Sequence, residues 1–358
     1  MRINRMMLWV GILLVLVLVA GCTAATPAPA GEAEATAAPA EEAAAPAEEA
    51  APATEPFRIA LVLPSTTNDL AWSQAMYDGI LAAQANLGGE SALELAVSEN
   101  MFQVTDAALA IRDYAAEGYD LVIGHGAQFG EPLFEVAADF PETSFAWGTT
   151  TNTGADKGLE NVFAYEANAQ EGAYVNGVIA AMLTEANNIG IVGPVEAGDA
   201  VLYITGFKDG VAATNPDAQV NVIFTGSFGD TALAAETANT LISNGADVLT
   251  GTAQQVAGAI GVAKDKGVPW LSNDSDQSSL APETVVASQA YRWEATVEDM
   301  IASHNSGVLG NKVYKLTLEN GGLEVVFNPG FALPDDVKAA ADAAIAGIID
   351  GSIVPARP

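Results

Sequence analysis

The sequence predicts an α/β fold in which a doubly wound, parallel sheet is formed twice, giving two lobes. Short apolar runs that are typical of buried strands alternate with helical patterns through most of the chain. Strict alternation of this kind favours right-handed crossover connections and sheets that helices cover on both faces. Roughly 300 residues follow a low-complexity segment near the start of the chain, which is enough for two such lobes.

The predicted elements follow one another as single strands and helices as far as residue 306. The strands are predicted at residues 59–63, 93–97, 121–123, 144–147, 162–165, 189–192, 220–224, 248–250, 268–271 and 285–287. The helices are predicted at residues 70–87, 103–117, 130–140, 170–184, 203–215, 231–243, 254–266 and 292–306. Next, residues 312–318 and 323–327 flank an Asn-Gly turn signal and are predicted to pair as a β-hairpin. A last helix is predicted at residues 335–350.

Residues 1–21 have the pattern of a secretory signal peptide. Two arginines precede an apolar run at residues 6–20, which is short for a membrane-spanning helix. The run ends in Val-Ala-Gly-Cys, which resembles the lipobox of bacterial lipoproteins and implies cleavage before Cys22 and lipidation of its thiol. Cys22 is the only cysteine of the chain. We therefore expect a protein anchored by lipid to the extracytoplasmic face of the cell membrane.

Residues 22–56 are predicted to form a disordered tether. After Cys22 this segment contains no aromatic residue and no Leu, Ile or Val, so it cannot bury enough apolar surface to offset its loss of conformational entropy on ordering. The whole chain has 45 acidic and 13 basic residues, a formal net charge of −32. Such a charge makes nucleic acid and anionic lipid surfaces poor partners, so contact with the membrane is expected through the lipid alone.

A carboxylate and a large aromatic ring follow the first predicted strand. Asp69 and Trp72 lie in the stretch at residues 68–79, where the chain passes from strand to helix. Ligands of open parallel sheets bind at the carboxyl ends of the strands, so this junction is a candidate ligand site for a planar or polyhydroxylated molecule. The alternative is structural: Asp69 caps the helix and Trp72 packs against its neighbours.

Four later strand ends carry residues of the same two kinds. His125 lies in the Gly-rich turn at residues 124–130, Phe228 follows the strand at 220–224, and Asp274 follows the strand at 268–271. Tyr291 and Trp293 follow the strand at 285–287. Rings that stack and carboxylates that accept hydrogen bonds would suit a nucleobase or nucleoside, and also a sugar.

Few catalytic or metal-binding arrangements can be built from this composition. With Cys22 lipidated and His125 and His304 as the two histidines of the chain, neither a cysteine nucleophile nor a His-rich or Cys-rich metal cluster is expected. The third glycine of residues 124–130 comes one position late for a dinucleotide fingerprint, and no phosphate-binding loop occurs. No cofactor is therefore expected. A hydrolase that uses Asp69 and Asp274 as paired carboxylates remains an alternative.

Six motifs occur in an order that resembles the basic membrane protein family of ABC-transporter substrate-binding lipoproteins, which includes the purine-nucleoside-binding lipoproteins. They are N-D-L-A-W-S-Q-A-M-Y-D-G at residues 68–79, G-Y-D-L-V-I-G-H-G-A-Q-F-G at 118–130, E-G-A-Y-V-N-G-V at 171–178, G-S-F-G-D at 226–230, N-G-A-D-V-L at 244–249 and S-N-D-S-D-Q at 272–277. The resemblance covers the chain from residue 57 to the last helix.

The resemblance implies a type I periplasmic-binding-protein fold, in which two Rossmann-like lobes close about a hinge on one small molecule. We expect residues 57–165 and about 290–325 to form the N-terminal lobe. Residues 166–289 and about 326–358 are expected to form the C-terminal lobe. The protein would then be a monomer without catalysis of its own, which delivers its solute to an ABC permease.

The resemblance also implies roles for single residues. Asp69 and Trp72 match the family's acidic and aromatic positions in the first loop, Phe228 looks like a second stacking ring, and Asp274 like the carboxylate that holds a ribose. Two positions depart from the pattern of the family.

The first departure is Ser73, which stands where many members have Asn. The second is Tyr291, with Trp293 close behind, which stands where nucleoside binders have Lys. The loss of this cation leaves a free nucleobase, or another planar ligand, as an alternative to a nucleoside. A sugar-binding ABC receptor and a secreted nucleoside or glycoside hydrolase are the further alternatives.

Overall fold

The computed structural model of the protein describes residues 55–358. The predicted signal peptide, Cys22 and nearly all of the predicted tether lie outside these residues. The strands are β1 Phe57–Val62, β2 Leu93–Ser98, β3 Leu121–His125, β4 Ser144–Gly148, β5 Val162–Ala167, β6 Asn188–Gly193, β7 Gln219–Phe224, β8 Val248–Gly251, β9 Trp270–Ser272, β10 Val285–Tyr291, β11 Val313–Leu316 and β12 Leu323–Phe327. The α-helices are α1 Trp72–Leu87, α2 Val104–Ala116, α3 Gly130–Asp139, α4 Gln170–Leu183, α5 Asp199–Thr214, α6 Thr231–Ser243, α7 Val256–Lys266, α8 Glu294–Asn305 and α9 Asp335–Ile349.

The strands form two six-stranded sheets. The first sheet has the order β2-β1-β3-β4-β5-β11 and is parallel throughout. The second has the order β7-β6-β8-β9-β10-β12 and is parallel except for β12, which runs antiparallel to β10. The predicted α/β class, with a doubly wound sheet formed twice, is confirmed. Among residues 55–358, no helix combines the length and apolar character needed to cross a bilayer.

Each sheet has one topological switch point, where the strand order reverses. In the first sheet β1 lies between β2 and β3, and in the second sheet β6 lies between β7 and β8. At such a point the connections leave on opposite faces of the sheet, and a crevice opens at the carboxyl ends of the two central strands. The loops that follow β1, β3, β6 and β8 are therefore the parts of the fold best placed to hold a ligand.

The predicted β-hairpin at residues 312–327 is wrong. β11 pairs with β5 in the first sheet, whereas β12 pairs with β10 in the second, so the two strands belong to different sheets. The turn between them does form: Oδ1 of Asn320 accepts hydrogen bonds from the N–H groups of Thr317 and Gly322, both at 2.9 Å. The Asn-Gly signal thus predicted a local turn correctly, but a turn does not determine which strands its flanks pair with.

Three segments connect the two sheets. They are the β5–α4 junction, the β10–α8 junction and the β11–β12 turn. Glu171 joins two of these segments, because its carboxylate accepts hydrogen bonds from Nδ2 of Asn168 and from the backbone N–H of Leu318, both at 2.8 Å. One apolar core includes side chains from both sheets and from the helices between them, and each sheet has a second core on its other face. The lobe boundaries expected from the sequence stay a prediction.

Candidate functional site

A cavity lies where the carboxyl ends of the strands of both sheets meet. Its walls come from loops that follow β1, β3, β4, β6, β7, β8 and β9, and these include the four loops at the switch points. The lining residues are Pro64, Trp72, Gly126, Ala127, Gln128, Thr149, Ala197, Asp199, Ala200, Phe228, Thr252, Ala253, Gln254 and Asp274. The structure therefore brings three of the eight sequence-predicted site residues, Trp72, Phe228 and Asp274, to one cavity.

Trp72 is the first residue of α1 and is held by the last residue of β3. Its Nε1–H donates a hydrogen bond to the carbonyl oxygen of His125 at 3.0 Å. The indole ring stacks on the imidazole of His125, with the ring centroids 4.0 Å apart and an angle of 5° between the planes. Because only 8% of Trp72 is exposed, the ring presents a limited area to the cavity in a fixed orientation.

His125 lies behind Trp72 and does not line the cavity. It is fully buried, and burial lowers its pKa to about 3, so the imidazole is uncharged at neutral pH. Its Nε2 lies 3.1 Å from the carbonyl oxygen of Trp72 and its Nδ1 lies 2.8 Å from the hydroxyl of Tyr165. Since a carbonyl only accepts, Nε2 carries the proton and Nδ1 accepts from Tyr165. His125 therefore supports Trp72.

Asp69 caps α1, as the structural alternative predicted. Its carboxylate accepts hydrogen bonds from the backbone N–H groups of Ala71 at 2.9 Å, Gln74 at 3.1 Å and Ser73 at 3.2 Å. Burial raises the pKa of Asp69, and these hydrogen bonds oppose the shift. Ser73 is fully buried one residue into α1. Neither Asp69 nor Ser73 lines the cavity. The sequence therefore predicted the correct loop, but the carboxylate of Asp69 stabilises the start of α1 and does not reach the cavity.

Tyr291 and Trp293 also lie behind Trp72. Both side chains are buried, and both rings contact Trp72 edge to face, with centroid distances of 6.1 and 6.2 Å. Trp293 also contacts His125 and Tyr165 edge to face. These five rings form an aromatic cluster, made of Trp72, His125, Tyr165, Tyr291 and Trp293, of which Trp72 alone lines the cavity. The sequence predicts Tyr291 and Trp293 as site residues, whereas the structure places them outside the cavity lining.

Phe228 contributes the second ring of the cavity. It belongs to the loop between β7 and α6, and its carbonyl oxygen accepts a hydrogen bond from the N–H of Gln255 at 2.9 Å, which ties this loop to the one after β8. Asp230, at the end of the same loop, caps α6 by accepting from the N–H of Leu233 at 2.9 Å. Hydrogen bonds at Phe228 itself and at Asp230 therefore restrict the movement of the loop that carries this ring.

Asp274 is the carboxylate that the sequence placed after β9. Its Oδ2 accepts from the N–H of Ala253 at 3.2 Å, and its Oδ1 accepts from Nδ2 of Asn273 at 2.8 Å. Burial raises the pKa of Asp274 to about 7, and the nearby charge of Asp69 acts in the same direction. The group is therefore divided between its charged and uncharged forms near neutral pH, and each of its oxygens can still accept a hydrogen bond from a ligand.

Asp199 is a lining carboxylate that sequence reasoning missed. It is the first residue of α5, a helix predicted to begin at Tyr203. Only 5% of Asp199 is exposed, and neither of its carboxylate oxygens has a hydrogen-bond partner within the described residues. Gly-Asp just ahead of an apolar helical pattern is a helix-start signal, so the missing turn of α5 could have been found from the sequence.

Loops from the two sheets meet on opposite sides of the cavity. On one side, Nε2 of Gln277 donates to the carbonyl oxygen of Leu70 at 2.9 Å, and Oγ of Ser275 donates to that of Ala71 at 3.0 Å. On the other side, Gly198 lies so close to Thr149 that a Cβ at this position would overlap with the threonine hydroxyl. Loops from the two sheets are therefore in direct contact beside the cavity.

One serine, one histidine and one aspartate come together far from the cavity. Nδ1 of His304 lies 2.9 Å from Oγ of Ser144, and its Nε2 lies 3.9 Å from Asp120. The Ser144 hydroxyl donates to the carbonyl oxygen of Leu309 at 2.9 Å, so it accepts from His304. A histidine that donates to the serine cannot act as its general base, and Ser144 is fully buried. This arrangement is structural.

Among the described residues 55–358, no basic side chain lines the cavity. Its titratable groups are Asp199 and Asp274, and its remaining polar side chains are two threonines and two glutamines. Among residues 55–358, no group of three or more His, Cys, Asp or Glu side chains is close enough to hold a metal ion. A lining of this kind suits an uncharged or cationic ligand that donates hydrogen bonds, because an anion would meet two acidic groups and no cation.

The comparisons with known proteins agree with the motif order. The model of a family described as PnrA-like ABC transporter substrate-binding proteins matches residues 57–357. A purine-binding protein of Brucella abortus is 28% identical over 303 residues, which cover 85% of this chain and 84% of that protein. Basic membrane protein A of Borreliella burgdorferi is 24% identical over 277 residues, which cover 76% of this chain and 80% of that protein.

A solved structure shows the same fold. The ABC transporter solute-binding protein of Aeropyrum pernix superposes with a TM-score of 0.73 at 21% identity, over 85% of this chain and 94% of that one. The predicted type I periplasmic-binding-protein fold and the resemblance to basic membrane proteins are confirmed.

Proposed function

Because the chain belongs to the family of PnrA-like ABC transporter substrate-binding proteins, we propose that it binds a purine nucleoside or a nucleobase-like solute in the cavity. A substrate-binding protein of an ABC transporter hands a small molecule to a membrane permease. Within that role, the chemical class of the ligand and the residues that contact it are what we propose for this chain.

The proposal rests on one observation: two aromatic rings and two carboxyl groups line the same cavity. Trp72 and Phe228 offer aromatic faces, and Asp199 and Asp274 offer carboxyl groups. Stacking of a base on an aromatic side chain contributes about 1–3 kcal/mol. The carboxyl groups can accept hydrogen bonds from ring N–H, amino or ribose hydroxyl groups. The purine-binding relative in Brucella abortus supports the same ligand class.

The fold suggests how binding is reported to the permease. The two lobes would have the boundaries predicted from the sequence, and the three connecting segments would form the hinge between them. Ligand contacts from both sheets favour the closed form by their differential affinity for it, and the permease recognises that form. The hydrogen bonds of Gln277 and Ser275 to Leu70 and Ala71, which join loops of the two sheets, would be made only in the closed form.

The cellular setting is part of the proposal. Lipidation at Cys22 would hold the protein on the extracytoplasmic face of the membrane, with residues 22–56 as a tether. The protein would act as a monomer, and it would bind its solute without chemical change. Of the eight predicted site residues, Trp72, Phe228 and Asp274 would contact the ligand, whereas Asp69, Ser73, His125, Tyr291 and Trp293 would support those that do.

Mass spectrometry of the small molecules released on denaturing the natively purified protein tests the proposal. We expect a purine nucleoside or a purine base in amounts close to one per protein chain. Release of a sugar and no purine would favour the sugar-binding alternative. Cleavage of added nucleosides to base and ribose by the purified protein would instead favour the hydrolase alternative.

A further inference from the structure

Asp199 has two unused hydrogen-bond acceptors at the wall of the cavity. Its carboxyl group is buried, lines the cavity, and has no hydrogen-bond partner at either oxygen within the described residues. Asp274, by contrast, accepts one hydrogen bond at each oxygen from its own surroundings. A buried polar group without a partner destabilises the folded protein, so its presence at a cavity wall points to a partner that arrives with the ligand.

The surroundings of Asp199 disfavour its charged form. Burial is the largest cause of the raised pKa, and the carboxylates of Glu166 on β5 and Asp274 add to it. The backbone N–H of Ala167, which lies near the carboxyl group but outside hydrogen-bonding geometry, and the positive charge of Arg357 oppose the shift, and Arg357 is already paired with Glu166 at 2.5 Å. The start of α5 also favours a negative charge, but a helix terminus stabilises a charge less than full desolvation penalises it.

The remaining titratable neighbours of Asp199 are hydroxyl groups. Tyr165 on β5 and Tyr291 on β10 are both fully buried, with pKa values raised well above the usual value. Both phenols stay uncharged at neutral pH and cannot neutralise a carboxylate. The cavity lining itself supplies no cation. An uncharged ligand bound to an ionised Asp199 would therefore leave a buried negative charge without a counter-charge.

We infer that Asp199 is the specificity-determining residue of this cavity, and that its uncharged carboxyl group pairs with a ligand edge on which a hydrogen-bond donor lies beside an acceptor. An uncharged carboxyl group has one O–H donor and one carbonyl acceptor, so it can form two parallel hydrogen bonds with such an edge. The amidine edge of adenine and the lactam edge of hypoxanthine both have this pattern. The inference rests on the proposed function, since it names the edge by which a base would be recognised.

The test compares two substitutions in the full chain by calorimetric titration with adenine near neutral pH. Asp199→Asn keeps a donor beside an acceptor and cannot ionise, so its affinity should stay within about 3-fold of wild type, well below the cost of losing a bidentate pair. Asp199→Leu has the same number and branching of side-chain heavy atoms and no polar atom, and it should lose about 10- to 100-fold in affinity. The melting temperature of ligand-free Asp199→Leu should equal or exceed that of wild type, because a partnerless polar group has been removed.

Adenine affinity measured at several pH values distinguishes an uncharged carboxyl group at Asp199 from an ionised one. Adenine affinity of the wild type should fall as the pH rises through the ionisation of Asp274 and Asp199, and the fall should be smaller in Asp199→Asn. Asp199→Asn binding as poorly as Asp199→Leu would overturn the inference and leave the proposed function intact. Full affinity in Asp199→Leu would do the same. No binding of adenine or hypoxanthine by the wild type would overturn the inference, and if purine nucleosides also fail to bind, the proposed function falls with it.

Discussion

Trp72 and His125 exchange hydrogen bonds while their rings stack. The indole Nε1–H donates to the carbonyl oxygen of His125, and the imidazole Nε2–H donates to the carbonyl oxygen of Trp72. The two rings lie 4.0 Å apart and nearly parallel. This mutual pairing joins the start of α1 to the end of β3, which are the two sides of the switch point in the first sheet. The ring that faces the cavity is therefore oriented by groups that lie behind it.

Tyr165→Phe should loosen this arrangement without touching the cavity. The substitution removes the hydroxyl that donates to Nδ1 of His125 and leaves that nitrogen buried without a donor. The free energy of unfolding should fall by about 1–3 kcal/mol, measured by urea denaturation. Tyr77→Phe, at a partly exposed position on α1, is the matched control and should change stability little. Equal stability of Tyr165→Phe and Tyr77→Phe would show that the hydrogen bond from Tyr165 to His125 does not stabilise the protein.

Gly198→Ala should impair closure of the cavity. A Cβ at Gly198 would overlap with Oγ1 of Thr149 in the loop from the other sheet, and φ at Gly198 is +57°. We expect ligand affinity to fall by about 10-fold or more, since a few tenths of an ångström of displacement between packed loops removes contacts on both sides. The measurement is calorimetric titration with the ligand found by mass spectrometry.

Gly267→Ala is the control that separates the effect of backbone strain from the effect of displacing the loops at the cavity. Gly267 has a similar φ of +66°, but it ends α7 and a Cβ there would meet nothing within 4 Å. This variant should lose about 1 kcal/mol of stability from its backbone conformation and keep its affinity. A loss of affinity in both variants would mean that reduced stability, and not the contact with Thr149, causes the effect.

Glu171→Gln should weaken the hinge region. The carboxylate of Glu171 accepts from Asn168 and Leu318, and a glutamine would turn an N–H₂ group toward one of these donors. Because one donor is left buried and unpaired, we expect stability to fall by about 1–3 kcal/mol, measured as a lower melting temperature. Glu160→Gln, on an exposed loop, is the control. An unchanged melting temperature for Glu171→Gln would contradict the role given to this motif.

Asp274→Asn should change how stability depends on pH. The pKa of Asp274 in the folded protein, about 7, exceeds the usual value of 3.8, so the folded protein holds this proton more tightly than the unfolded chain. The contribution of Asp274 to the free energy of unfolding therefore falls as the pH rises from about 4 to 7, by up to about 1.4 kcal/mol per pH unit. Asp274→Asn lacks this contribution, and denaturation at several pH values should show a flatter profile.

The control for this profile is Asp276→Asn, which alters an exposed carboxylate two residues away. Its pH profile should match that of the wild type. If Asp274→Asn also follows the wild type, Asp274 is not the group that titrates near neutral pH.

The sequence predicted the elements and the edge of the sheets at which the cavity lies, because both follow from local patterns. Strand ends that carry Trp72, Phe228 and Asp274 could be identified one by one, and the doubly wound topology brings them together. Local patterns could not separate a ring that lines a cavity from one that packs behind it, so Tyr291 and Trp293 were grouped with Trp72. The pairing of β11 and β12 depends on contacts distant in the chain, and a turn signal does not report these.

Asp199 was missed for a different reason. Its helix was expected to begin four residues later, so the acid was assigned to a loop and its position at the cavity wall was lost. Its most informative property, two buried oxygens without a partner, exists only in three dimensions.

Calorimetric titration with adenine and adenosine, compared between the wild type and Phe228→Ala, tests the central claim most directly. We expect the wild type to bind at least one of the two, and Phe228→Ala to lose about 10- to 100-fold in affinity, as stacking contributes about 1–3 kcal/mol per base. Phe224→Ala, which removes a ring that is 40% exposed and does not line the cavity, should bind as the wild type does. Binding of a sugar with no binding of either purine, or equal purine affinity in Phe228→Ala and Phe224→Ala, would contradict the account.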